Sequence, residues 1–180
     1  DGASLPEHLV LEAQSLGYPA LALTDHNGVY GSMAFAQAAK QMGMQAITGA
    51  EITLLDGSHV TLLAETPSGY ANLCRLITET HLGREDRRDP RLDFASLEQR
   101  HEGLIVLSGC RGGLLPRILA TEGFTAARRF AERCRVLFGR ERFLVELQRN
   151  AVRGDRDLTR ALCDIADATG LSVVATGDVH

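Results

Sequence analysis

The chain has 180 residues, 44% of them hydrophobic, and a net charge of -4; that is enough for one domain with a sizeable core, and too acidic for a major duplex-gripping surface, which needs clustered Lys and Arg. No apolar run nears the ~18 residues of a membrane span, and no secretory signal opens the chain. The four cysteines, at 74, 110, 134 and 163, include no C-x-x-C pair, which excludes a zinc ribbon and suits a reducing, cytoplasmic setting better than a disulfide framework.

Ser4-Leu5-Pro6-Glu7 is a capping-box pattern, and Leu9, Val10, Ala13 and Leu16 recur at helical spacing, so a first helix is expected over 5–16, stopped by Gly17. A short apolar run over 20–24 then reads as a strand that ends in the Asp25–Gly31 loop. An alanine-rich helix over 32–42, closed by Gly43, completes a βα unit. The run from 46 to 55 reaches Asp56-Gly57, a hairpin turn signal, and returns as a strand over 59–64. Pro67-Ser68-Gly69 opens the next helix, which ends near the mixed-charge segment 83–91, read as a solvated loop rather than a phosphate grip. A short helix over 93–101, a strand over 104–109, a helix near Leu114 and an amphipathic helix over 124–138 follow. A strand over 142–147, a helix over 155–169 stopped by Gly170, and a last strand over 171–176 complete the series. About six strands, mostly alternating with helices, select an α/β class with a largely parallel sheet or barrel.

The strand ends carry the functional signal. The first strand stops at Asp25-His26-Asn27-Gly28, the apolar run Ile47-Thr48-Gly49-Ala50 ends at Glu51, the fourth strand ends at Cys110, the fifth leads into Glu146, and the last leads into Gly177-Asp178-Val179-His180. Parallel strands that each place an acidic or metal-capable residue at their C-terminal ends share one site on that face. Asn27-Gly28 alone predicts only a tight turn with positive φ, but Asp25 beside His26 offers a carboxylate to orient a metal-bound imidazole. Glu51 follows an apolar strand, where a carboxylate is costly unless paired or bound to a cation. Asp178 and His180 lie two apart in extended chain and so point to one face. Cys110 reads as an inert thiol, a nucleophile or a thiolate ligand; the arginine a cysteine-phosphatase loop needs falls one place late, at Arg117. His59 stays open, because a simple hairpin would carry it up the ribbon and away from Glu51. His8, His81, His101, Cys74, Cys134 and Cys163 sit on helix surfaces or stripes and read as structural.

Asp1-Gly2-Ala3-Ser4, Leu23–Gly31, Gly49-Ala50-Glu51, His59–Ala64, Leu107–Cys110 and Thr176–His180 together resemble the polymerase-and-histidinol-phosphatase (PHP) domain at the N-terminus of bacterial C-family DNA polymerases. The Asn27 position and the Val29-Tyr30-Gly31 continuation are most similar to the error-prone branch. The resemblance implies a distorted seven-stranded βα barrel, TIM-like, occupying 1–180 as a single domain. It also implies two or three divalent metals on Asp1, His26, Glu51, His59, Cys110, Asp178 and His180. Asp1 and His59 join that set on resemblance alone. The family's first strand and its His-x-His motif are absent, so the chain is expected to be an excised segment of a much longer polymerase, poorly soluble alone because one barrel seam is open.

Such mixed nitrogen, oxygen and sulfur ligands suit zinc, or manganese or iron, better than magnesium. The implied activity is a metal-dependent 3′–5′ exonuclease or phosphoesterase inside an error-prone, damage-induced polymerase. Nucleotide transfer, its magnesium and the DNA contacts would lie in downstream domains, and other translesion subunits are further partners. The rival readings are a metal-braced structural module and a free-standing phosphatase.

Overall fold

The computed structural model describes residues 4–82 and 88–177. In chain order these form α1 (Pro6–Ser15), β1 (Ala20–His26), α2 (Ser32–Gln41), β2 (Gln45–Thr53), β3 (His59–Ala64), α3 (Pro67–Leu82) and α4 (Phe94–Gln99). Then come β4 (Leu104–Leu107), α5 (Leu114–Glu122), α6 (Phe124–Phe138), β5 (Phe143–Leu147), α7 (Asp155–Thr169) and β6 (Val173–Ala175). The strands make one six-stranded sheet in sequence order, β1-β2-β3-β4-β5-β6, curled into a half-barrel. All neighbours pair parallel except around β3, which is antiparallel to both β2 and β4. The first residue of β3 therefore lies at the edge where the other strands end.

Period-two alternation divides the sheet into two faces. Ala50, Ile52, Val60, Leu62, Leu104, Val106, Phe143 and Val145 are almost fully buried beneath the helices, where Leu73, Leu76, Leu115, Ala131 and Ile165 complete the main core. Phe94, Phe130, Phe138 and Phe143 stack through this layer with centroid separations of 5.6 to 6.2 Å. His101 packs edge-on to Phe138 and its Nδ1 meets Glu98 O at 2.7 Å, the structural role expected of it. A second, smaller core joins Val10, Ala13, Phe35 and Ala39 of α1 and α2 to Leu21 and Leu23 of β1. The opposite face of the sheet carries His26, Glu51, Thr53, His59 and Thr61.

Three local expectations change. The capping box does not form: α1 has Leu5 as its N-cap with no side-chain bond and takes Pro6 in its first turn, where the missing N–H costs nothing. β4 ends at Leu107, because Gly109 has φ +85 and turns the chain out of the ladder. The last strand covers only Val173–Ala175. Of the seven strands implied, six lie among the described residues. Residues 83–87 of the charged segment fall outside them, but Arg91 is only partly exposed and its guanidinium is engaged within the domain. It pairs with Asp89 at 2.9 Å and donates to Leu54 O at 3.3 Å.

Candidate metal centre

Register brings the site together. In the parallel β1–β2 pair His26 is the partner of Glu51, and His26 Nδ1 lies 2.9 Å from Glu51 Oε1. In the antiparallel β2–β3 pair Glu51 faces Thr61 and Thr53 faces His59. His59 is thus one diagonal step from Glu51 on the same face, close enough for long side chains to meet. His59 Nε2 lies 3.8 Å from Glu51 Oε2. This corrects the expectation that the hairpin separates the two. The turn follows Thr53 almost at once, closed by Gly57 N–Leu54 O at 2.9 Å and by Asp56, whose carboxylate accepts from Ser58 N and Oγ. Burial works against that carboxylate, but the Ser58 bonds and Arg117 hold Asp56 below its ordinary range.

The Gly109–Gly113 turn brings the next group. Cys110 Sγ is 3.1 Å from His59 Nε2, and Cys110 N donates to the same nitrogen at 3.3 Å. Nε2 is therefore the acceptor, and the ring proton sits on Nδ1. The 3.8 Å approach of Glu51 is then an approach of two lone-pair-bearing atoms, not an ion pair. Glycine is required here: a Cβ on Gly109 would come 2.6 Å from both Gly113 Cα and His59 O, at a φ of +85. Next to Cys110, Arg111 bonds the carboxylate of Asp155 and the carbonyl of Arg153, tying this turn to the start of α7. The Arg111 bond lowers the Asp155 pKa against its burial, helped by the Val152 N–H.

Asp25 is turned away from His26, so its expected role as the imidazole's orienting carboxylate passes to Glu51. Asp25 Oδ2 instead accepts from Gly31 N at 2.8 Å and pins the β1–α2 loop. Two residues that sequence reasoning missed hold that loop. Asn27, at φ +50, receives Thr53 N on its Oδ1 and donates Nδ2 to Thr53 Oγ1, each at 2.9 Å. His81 of α3 meets Asn27 O at 2.8 Å, so its Nε2 is the donor. The Asn-Gly pair signalled the positive φ, but nothing local signalled partners so distant in sequence.

His26, Glu51, His59 and Cys110 thus form a chain of contacts along one edge of the sheet, with side-chain exposures of 43%, 19% and 15% for the first three. Asp1, Asp178 and His180 lie outside the described residues. Among the described residues no group of three or more His, Cys, Asp or Glu side chains forms a ready-made metal cage. The donor chemistry nonetheless fits a cation: Glu51 Oε2, His59 Nε2 and Cys110 Sγ are lone-pair-bearing atoms that lie close together.

The PHP domain family matches residues 1–150. The chain belongs to the PHP domain family. Curated relatives matched over the whole chain include an error-prone DNA polymerase of Symbiobacterium thermophilum at 43% identity and one of Mycobacterium tuberculosis at 37%. A DNA polymerase III subunit alpha of Treponema pallidum is 34% identical. The chain spans only 18%, 17% and 16% of those three proteins. Among solved structures, a proposed metal-dependent phosphoesterase from Bifidobacterium adolescentis superposes with a TM-score of 0.64 at 16% identity, covering 97% of this chain and 82% of that one. An amidohydrolase from Chromobacterium violaceum does so with the same TM-score and identity, covering 100% and 84%. Both share the fold of this domain.

Proposed function

We propose that this PHP domain is part of an error-prone DNA polymerase and that its strand-end cluster is a metal-dependent phosphoesterase site acting on DNA 3′ ends. The observation that carries the reading is the meeting of His26, Glu51, His59 and Cys110 at one edge of a mixed sheet. His26, Glu51, His59 and Cys110 would hold divalent metal together with Asp1, Asp178 and His180, and the mixed donor set favours zinc, with manganese or iron next. Such an ion supplies a Lewis acid for a phosphoryl oxygen and a route to activated water near neutral pH. Glu51 orients His26 through Nδ1 and presents its second oxygen toward His59. The Gly109–Gly113 turn fixes the His59 tautomer by donating Cys110 N–H to Nε2, a weak bond at 3.3 Å that a metal ion on Nε2 would displace. Nucleotide transfer, its magnesium, the main DNA grip and any further polymerase subunits belong to the rest of the parent protein, which would work in the cytoplasm. No helix among the described residues is long and apolar enough to cross a membrane.

A second reading, a metal-braced structural module, is favoured by the way the same side chains cross-link β1, β2, β3 and the turn after β4. The parent polymerase separates the two. In the first reading His26→Ala and Asp178→Asn abolish 3′–5′ exonuclease activity and leave nucleotide incorporation largely intact. If the wild type has no nuclease activity and both variants lose folding and incorporation together, the metals are braces. Absence of transition metal by elemental analysis, after purification without chelator, overturns both.

A further inference from the structure

Past the Cys110 turn, the described residues hold a small cavity of about 10 Å³, lined by Cys110, Arg111, Glu146, Gln148, Asn150 and Asp155 among others. That is room for a single water or a single ion and nothing larger. Two of its lining residues each carry a buried oxygen, Glu146 Oε2 and Gln148 Oε1, that has no hydrogen-bond partner among the described residues. Glu146 is 4% exposed. It stands at the C-terminal end of β5, and among the described residues its other oxygen meets the neutral donors Thr176 Oγ1 at 2.6 Å and Gln148 Nε2 at 3.2 Å. Gln148 Nε2 also lies 3.0 Å from Thr176 Oγ1. These contacts fix the amide's orientation, since a flipped Gln148 would press its carbonyl oxygen against the Glu146 carboxylate. The nearest guanidinium, Arg111, is engaged by Asp155 and by Arg153 O.

A buried carboxylate with neither a counter-charge nor a partner for one oxygen among the described residues is costly, and so is an orphaned amide carbonyl on a neighbouring side chain. A water would satisfy the two lone pairs but not the charge. A cation satisfies both. We propose that Glu146 Oε2 and Gln148 Oε1 are two ligands of an oxygen-liking divalent cation, in a site that adjoins the His26–Cys110 cluster but is separate from it. Carboxylate and amide oxygens without imidazole or thiolate select a hard ion such as Mn²⁺ or Mg²⁺ rather than zinc. The site would add a positive charge on the α7 side of Cys110, and it does not depend on the phosphoesterase reading.

The test titrates the chelator-stripped full-length protein with Mn²⁺, following free ion by electron paramagnetic resonance. Glu146→Gln keeps the side chain's size and its bond to Thr176 while removing the charge, and is expected to bind one Mn²⁺ fewer per chain than wild type. Gln148→Leu keeps the charge and removes one oxygen, and is expected to hold that ion about tenfold more weakly. Zinc bound at the His26 cluster should be unchanged in both variants. Anomalous scattering from a Mn²⁺-soaked wild-type crystal serves as well if Glu146→Gln does not fold, and a peak in bonding distance of both oxygens is expected. Equal Mn²⁺ stoichiometry in wild type and Glu146→Gln, or a feature between the oxygens with no anomalous signal, means the cavity holds only water and overturns the proposal.

Discussion

Asn27→Ala tests how the loop behind His26 is held, and its cost can be worked out from three contacts. Thr53 N loses its acceptor, about 1–1.5 kcal/mol at a partly open site, and the Nδ2–Thr53 Oγ1 bond is worth about 0.5–1 kcal/mol net. Alanine must also hold φ +50, which costs about 1 kcal/mol that asparagine largely avoids. The sum is about 3 kcal/mol, or a fall of roughly 6–12 °C in Tm for a domain of this size. Asn27→Gly removes the same bonds, about 2 kcal/mol, and tolerates the backbone, and its extra chain entropy adds about 0.5 kcal/mol, so it should cost about 2.5 kcal/mol. Asn27→Asp keeps the acceptor for Thr53 N, and the Thr53 hydroxyl can rotate to donate, so about 1 kcal/mol or less is expected. Urea unfolding of the three variants should give the order Ala, Gly, Asp, from most to least damaged. If Ala and Gly are equal, or if both cost under ~1 kcal/mol, the two-bond clamp on a strained residue is wrong.

Gly109→Ala should cost about 3 kcal/mol or more, because its Cβ would strike backbone at Gly113 and His59, where nothing flexible can yield. Metal content by elemental analysis should fall with it; a variant that melts and binds metal like wild type would contradict the placement of this turn. Acid unfolding followed by circular dichroism reports on Asp155, whose folded pKa lies below its ordinary 3.8 chiefly through the Arg111 bond. That pair's stabilisation is fully present above the ordinary carboxylate value and is lost as pH falls through the depressed one. Arg111→Ala should therefore reduce stability at neutral pH and flatten the acid limb, and superimposable pH profiles would show the pair to be idle.

Elements with local signals were legible from the chain. The α6 helix kept its predicted span because its apolar stripe runs between Gly123 and Gly139, and α7 did so because Gly154 and Gly170 bracket it. The direction of β3 followed from Asp56-Gly57. What failed to read out were facts of register and of partnership across the fold. Whether His59 meets Glu51 depends on Glu51 pairing with Thr61, and the hydrophobic pattern of two buried strands does not fix that. Asp25 looked like the partner of His26 because the two are adjacent, yet adjacency in a strand sends side chains to opposite faces. His81 read as a surface residue because its acceptor, Asn27 O, lies on a different element. Buried Cys134 matched its structural reading, with burial pushing its thiol pKa up and leaving it unreactive.

The spatial order of the six strands repeats their order in the chain, and that bears on how the domain is made. Each strand leaving the ribosome finds its docking edge already synthesised, and none has to wait between two earlier neighbours or displace one. The sequence separation between paired strands stays modest, which favours rapid assembly. His26, Glu51 and His59 all belong to the first three strands, so this half of the cluster can form before Cys110 is translated. β1 shares a small core with α1 and α2, whereas Ala50, Ile52, Val60 and Leu62 of β2 and β3 bury against elements that come later in the chain, so the early strands present the edge on which the rest of the sheet is built and their own packing is completed by it.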